Sequence, residues 1–107
     1  MNELDVSVVI GFRDWGADRI RRSAKSIIQS FGAIRGEVII SDYGSANPAP
    51  ARQVAADLGA EYVYTQGDAV WSRSRALNAG FAIARGDLLI STDADMLFSP
   101  GSMQNIV

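Results

Sequence analysis

The sequence predicts an α/β protein with one mostly parallel sheet of about four strands, wound with helices on its faces. Three observations predict it. Four short apolar runs recur, at residues 6–12, 37–41, 61–65 and 87–92. They lack the strict polar alternation of a sheet with one wet face, so they fit strands covered on both sides. Between successive runs lie segments whose apolar residues return at helical spacing. Strand and helix in regular alternation favour right-handed crossovers and a doubly wound sheet.

The elements follow in order. Val6, Ser7, Val8, Val9, Ile10, Gly11 and Phe12 form the first strand. Ile20, Ala24, Ile27, Ile28 and Phe31 make a helical stripe that Gly32 can stop, with Arg21, Arg22 and Lys25 on a solvated outer face. The second strand, residues 37–41, leads into a stripe of Ala51, Val54, Ala55 and Leu58 ended by Gly59. Pro48 and Pro50 lie at or before its start, where a missing amide donor costs little. The third strand, residues 61–65, carries Tyr62 and Tyr64 and reads as an edge strand. Ala76, Leu77, Gly80, Ile83 and Ala84 form the third stripe, with Gly86 as its C-terminal cap before the fourth strand. Ser99, Pro100 and Gly101 resemble a further helix start. No repeat or linker interrupts the pattern, so residues 1–107 are read as one domain.

Composition narrows the chemistry. Ten Lys and Arg against twelve Asp and Glu give a net charge of -2, and 48% of residues are hydrophobic. The chain is therefore globular, and no strongly basic nucleic-acid binder is expected. Cysteine and histidine are both absent, which excludes thiol nucleophiles, thiolate metal sites and imidazole bases within this chain. Carboxylates, arginines, hydroxyls, backbone amides and bound metal remain. No apolar run reaches membrane-spanning length, and the first five residues lack the basic start of a signal peptide. The expectation is a soluble, cytoplasmic chain.

In an open parallel sheet, ligands bind beyond the carboxyl ends of the strands. Polar residues gather there: Arg13 and Asp14, Asp42, Gln66 and Asp68, then Asp93 and Asp95. Each alone reads equally as an ordinary polar loop; their joint placement is more informative. In Asp93, Ala94 and Asp95, an extended backbone sends both carboxylates to one side. Paired carboxylates need a compensating cation, and hard oxygen ligands suit Mg²⁺ or Mn²⁺, with phosphate oxygens and water completing the shell. Arg73 and Arg75 open the third helix, where guanidinium forks and free amides suit a phosphate or carboxylate. Trp71 fits either stacking on a base or sugar, or plain packing. Asp42 can accept from a base or ribose hydroxyl, and Gly44 permits a tight turn. The first turn, Gly11 to Gly16, is not G-x-G-x-x-G, and no Walker A sequence is present.

In that order and spacing, the segments VSVVIGFR, VIISDYGS, RSRALNAG, ARGD and LLISTDAD make the chain resemble the amino-terminal, nucleotide-binding half of a family 2-like GT-A glycosyltransferase. The resemblance spans about residues 6–103. It implies a truncated, Rossmann-like GT-A fold that binds a nucleotide-sugar, commonly a UDP-sugar, with Mn²⁺ or Mg²⁺. Phe12, Arg13 and Asp42 would hold the nucleoside, Phe12 against the base, and Arg73 or Arg75 would approach the diphosphate. Asp93 and Asp95 match the DxD motif, Asp93 near ribose or sugar hydroxyls and Asp95 as the more direct metal contact. Arg13 and Asp14 stay open between ligand contact and loop fixing. The family's later strands, which build the acceptor side and in inverting members supply the catalytic base, have no counterpart here. The catalytic base and the acceptor are therefore unassigned. Binding or interaction without catalysis is the alternative, ahead of a metal-dependent phosphatase or nucleotidyltransferase. An incomplete sheet also predicts a homo-oligomer, with Trp15, Tyr62, Tyr64 and Phe98 as candidate surface residues.

Overall fold

The computed structural model describes residues 4–66 and 71–93, the last of these by its backbone alone. Within them the chain runs β1 (Leu4–Phe12), α1 (Ala17–Ser30), β2 (Gly36–Tyr43), α2 (Ala49–Leu58), β3 (Glu61–Thr65), α3 (Arg73–Ile83) and β4 (Gly86–Asp93). The four strands form one sheet in the order β3-β2-β1-β4, with every neighbouring pair parallel. The chain steps outward from β1 to β3, then returns across β1 to lay down β4. Right-handed crossovers taken in both directions put α1 and α2 on one face and α3 on the other. The reversal falls between β1 and β4, where the register sets Gly11 beside Asp93.

Side-chain alternation along β1 feeds both faces. Val6, Val8, Ile10 and Phe12 join Val38 and Ile40 under Ile20, Ala24 and Ile27 of α1 and Ala51, Val54 and Ala55 of α2. On the other face Val9 and Ile39 meet Leu77, with Val63 and Phe81 partly buried beside them. Each fully buried Val or Ile contributes roughly 1.5–3 kcal/mol against exposure, so the α1/α2 face carries most of the apolar stabilisation. The α3 face is thinner and closer. A Cβ on Gly80 would collide with the Val9 side chain, so the helix lies on β1 at a distance only glycine allows.

That face also holds polar groups. Glu37 is buried, and its carboxylate accepts from Ser7 Oγ at 2.6 Å, from the Arg85 amide at 2.7 Å and from the Arg85 guanidinium at 3.2 Å. Ser7 Oγ in turn accepts from the Gly86 amide at 2.7 Å. Burial alone would raise the Glu37 pKa, but these donors outweigh it and hold the carboxyl below its ordinary range.

Several expectations are corrected. Gly86 does not cap α3, whose C-cap is Ala84 in extended conformation; it opens β4, where a Cβ would lie 2.5 Å from the Val6 carbonyl carbon. Ile83 does not join the buried stripe. It is the last residue of α3 and is exposed. On the outer face of α1, Arg22 and Lys25 are exposed as expected, and Arg21 forms an exposed ion pair with Asp57 of α2 at 2.9 Å. β2 continues through Asp42 and Tyr43, beyond the expected end at residue 41. β3 is an edge strand as expected, and α2 ends on left-handed Gly59. Of the surface apolar residues, Trp15 and Tyr64 are exposed and Tyr62 is half-buried, while Leu88 and Leu89 of β4 are exposed in addition. Phe98 and residues 99–103 lie outside the described residues. Among the described residues, no helix is long and apolar enough to cross a membrane.

Two outcomes follow. Gly80→Ala gains about 1 kcal/mol of helix propensity but forces α3 off Val9, an overpacking cost of about 1–3 kcal/mol. A lower thermal midpoint is expected, and a higher one would show that Val9 yields freely. For Glu37, a lowered folded-state pKa means its contribution is intact above the ordinary glutamate value of 4.5 and is lost as pH falls through the folded value. Glu37→Gln should therefore flatten the acid limb of a urea-stability profile while leaving its slope near neutrality unchanged.

Candidate functional site

The carboxyl edge of the sheet is built from the β1–α1 loop, the β2–α2 loop, the residues that open α3 and the end of β4. Its loops are fixed by side chains that the chain itself satisfies. Asp14 adopts a left-handed backbone with φ of 48°, which aspartate tolerates better than most residues. Its Oδ2 accepts from the Ala46 amide at 2.7 Å and its Oδ1 from the Asn47 amide at 3.3 Å. The Asp14 amide donates to Ser45 Oγ at 2.9 Å. Asp14 thus fixes one loop to the other, the loop-fixing role that was one of the two readings of the sequence.

Asp42 lies inside β2 and is fully buried, rather than in the loop that follows. Such a carboxylate is tolerated only when paired, and it is: Oδ1 accepts from the Ser45 amide at 3.1 Å, and Oδ2 from the Tyr62 hydroxyl at 2.6 Å. Burial, then the bond to Asp42 and its negative charge, push the Tyr62 pKa upward, so this hydroxyl keeps its proton. Tyr64 adds a bond from its hydroxyl to the Ser45 carbonyl at 3.1 Å. Neither tyrosine was legible as a site residue, because their role depends on the β2–β3 register.

Four rings run across the edge. Phe12 meets Trp15 at a centroid distance of 6.1 Å, Trp15 meets Trp71 at 4.6 Å, and Trp71 meets Tyr43 at 6.0 Å, all edge to face. Phe12 itself is buried on the α1/α2 side, where with Asp14, Asn47 and Pro50 it lines a cavity of about 150 Å³. A Cβ on Gly11 would lie 3.3 Å from the Trp71 ring, so the missing side chain lets that indole rest on β1. Trp71 packs at this edge. Trp15 and Tyr43, which the sequence did not assign to a site, complete the row.

Ser72 caps α3, its Oγ accepting from the Arg75 amide at 3.3 Å. Arg73 is the first residue of the helix, and the Arg75 guanidinium donates to the Tyr43 hydroxyl at 3.4 Å. Both arginines therefore stand at the amide-rich end of α3, as expected. Arg13 is half-buried, and its Nη1 is buried with no hydrogen-bond partner among the described residues. Asp93 ends β4 in register with Gly11, at the strand reversal. Asp95 and Asp68 lie outside the described residues. Among those described, no three acidic side chains gather into a metal cluster. A divalent ion held by one or two carboxylates, with phosphate and water filling the remaining positions, needs no such cluster.

Fold and edge together define a Rossmann-like GT-A domain, whose strand order reverses between β1 and β4. The chain belongs to Glycosyl transferase family 2, which matches residues 7–107. No curated protein sequence matches it. Among solved structures it is similar to the mannosyltransferase PcManGT from Pyrobaculum calidifontis, a complex with GDP-Man and Mn²⁺, at a TM-score of 0.73 and 20% identity. That likeness covers 94% of this chain and 30% of the other, so the chain spans under a third of that neighbour's length. At such identity it shows the shared fold.

Asp14→Ala removes the acceptor for two loop amides. Hydrogen exchange at Ala46 and Asn47 should accelerate at least tenfold, with amides in β1 and β2 unaffected. Equal protection in the variant would mean that the loop holds without this clamp.

Proposed function

We propose that the chain binds the nucleotide-sugar donor of a glycosyl transfer, a UDP-sugar, together with Mn²⁺ or Mg²⁺. The observation that carries this reading is the meeting of β1 and β4 at the strand reversal, which sets Asp93 beside Gly11 in a chain of the glycosyltransferase family. Arg13, Asp42 and Phe12 serve the nucleoside end. Asp42 acts through the loop that it holds, and Phe12 acts as the buried wall behind that loop. Arg73 and Arg75 serve the diphosphate, where a guanidinium fork and the first amides of α3 act together. Asp93 and Asp95 hold the cation, which neutralises charge on the departing diphosphate when bound. The bound donor serves glycosyl transfer to an acceptor, and nucleotide binding without turnover is the alternative form of this reading. The GDP-Man complex of the neighbour favours a guanosine donor as the second reading.

Calorimetric titration with UDP-sugars and GDP-mannose, each with and without Mn²⁺, separates these readings. Metal-dependent binding of the uridine donors is expected; preference for GDP-mannose would select the second reading, and no binding by folded protein would reject both. Asp95→Ala should retain the fold and lose most of the metal dependence. Asp87→Asn, at the start of β4 and the opposite end of the sheet, should leave that dependence intact.

A further inference from the structure

The two edges of the sheet are finished differently. β3 is five residues long and opens on exposed Glu61. A short edge strand that carries a charge discourages pairing with another chain. β4 lies at the other edge, with β1 as its one neighbour among the described residues. It is eight residues long, and its register with β1 runs without a bulge from Leu88 beside Val6 to Asp93 beside Gly11. Between Asp87 and Asp93 it carries neither charge nor proline. The helices pack elsewhere, α1 on α2, β1 and β2 and α3 chiefly on β1 and β2.

The β4 side chains are apolar on both faces. Register places Leu88 and Ile90 on the α1/α2 face, with Val6 and Val8, and Leu89 on the α3 face, with Ser7. Ile90 reaches the core, but Leu88 is 38% exposed and Leu89 47%. A strand apolar on both sides suits the interior of a sheet, and here it forms the rim.

We propose that a second copy of this chain covers this rim, β4 pairing antiparallel with the partner's β4 about a two-fold axis normal to the sheet. That symmetry restricts the register. Directly opposite residues share a face, and the axis keeps every residue on its own face, so one residue must stand opposite its own copy. Centring the pair on Ile90 sets Asp87 opposite the partner's Asp93, two like charges. Centring it on Leu88 sets Asp87 opposite the partner's Leu89. Centring it on Leu89 matches the strand with itself. Leu89 then meets the partner's Leu89, Leu88 meets the partner's Ile90, and Asp87 meets the partner's Ser91. This self-complementarity commits the rim to a copy of the same chain. The two sheets join into one, and the two candidate sites lie at its opposite ends. The inference goes beyond donor binding and needs no nucleotide.

The chain has no cysteine, so single-cysteine variants report the axis directly. Opposite Cα atoms of an antiparallel pair lie about 4.5–5.5 Å apart, within disulfide reach. Leu89→Cys should therefore give a disulfide-linked dimer under mild oxidation. Ser91→Cys, on the same face, is offset from its own copy by roughly 13 Å along the strand and should stay unlinked. Sedimentation equilibrium of the unliganded chain should show a concentration-dependent dimer. Leu89→Lys sets two cations face to face on the axis and should weaken that dimer at least tenfold, with the circular dichroism of the wild type retained. Should Leu89→Lys fail to fold, the two cysteine variants decide. A wild type that stays monomeric at every concentration would overturn the proposal and leave the rim to residues 94–107 or to a different partner. A dimer indifferent to Leu89→Lys, with Leu89→Cys unlinked, would overturn it by moving the contact to another surface, such as exposed Trp15 and Tyr64. Equal linkage of Leu89→Cys and Ser91→Cys would overturn the register and with it the proposed pairing.

Discussion

The close approach of α3 to β1 governs the geometry of the carboxyl edge. Gly80 has no side chain to hold the helix away from Val9, and Gly11 has none to hold Trp71 away from β1. Two glycines on facing elements thus bring the start of α3, with Ser72, Arg73 and Arg75, down onto the end of the central strand. The same strand reversal that sends α3 across the sheet puts β4 beside β1. The start of α3 and the ends of β1 and β4 converge through backbone topology and two missing methyl groups, before any polar contact is considered.

Polar contacts then fix the loops. Loops that carry binding residues must be held by the scaffold, or the site is too loose to act. Here the holding groups are Asp14, Asp42, Ser45 and Tyr62, whose bonds close on one another within the β1–α1 and β2–α2 loops and β3. Asp42 is consumed in this work. An acidic residue after the second strand looks like a ligand contact, but full burial with two protein donors makes it a positioning residue in the free chain.

The fold was legible because its signal is local. Apolar runs without alternation mark strands covered on both faces, and the helical stripes lie within single segments, so neither needs tertiary knowledge. The order of the elements and even the edge position of β3 followed. The errors lie where local and tertiary demands coincide in one residue type. Gly86 looked like a helix cap, because glycine commonly is one, yet its real constraint is contact with the Val6 backbone 80 residues away in sequence. At the site, the placing of Arg73 and Arg75 at the start of the third helix was legible, because the apolar stripe that marks that helix begins directly after them. The aromatic row and the tyrosine bonds were not, because each pairs residues from different strands and depends on register. Asp14 was recognised as a candidate, but only the left-handed turn and its two amide donors distinguish a clamp from a ligand contact.

The two ends of the sheet solve opposite problems with the same chemistry. At the amino end, Glu37 is surrounded by donors from Ser7 and Arg85, and Ser7 passes its own acceptor to Gly86, so that buried charge and buried hydroxyl are both answered from within. The cost of desolvating the carboxylate is offset on the spot, and that end has no further need of a ligand. At the carboxyl end Asp14 and Asp42 are again answered from within, by loop amides and a tyrosine hydroxyl, while Arg13 Nη1 is buried without a partner among the described residues. The chain's overall charge of -2 does not describe how this edge is arranged. Net composition argues only against a broad basic surface, while one edge of a nearly neutral domain can still be arranged to hold a diphosphate.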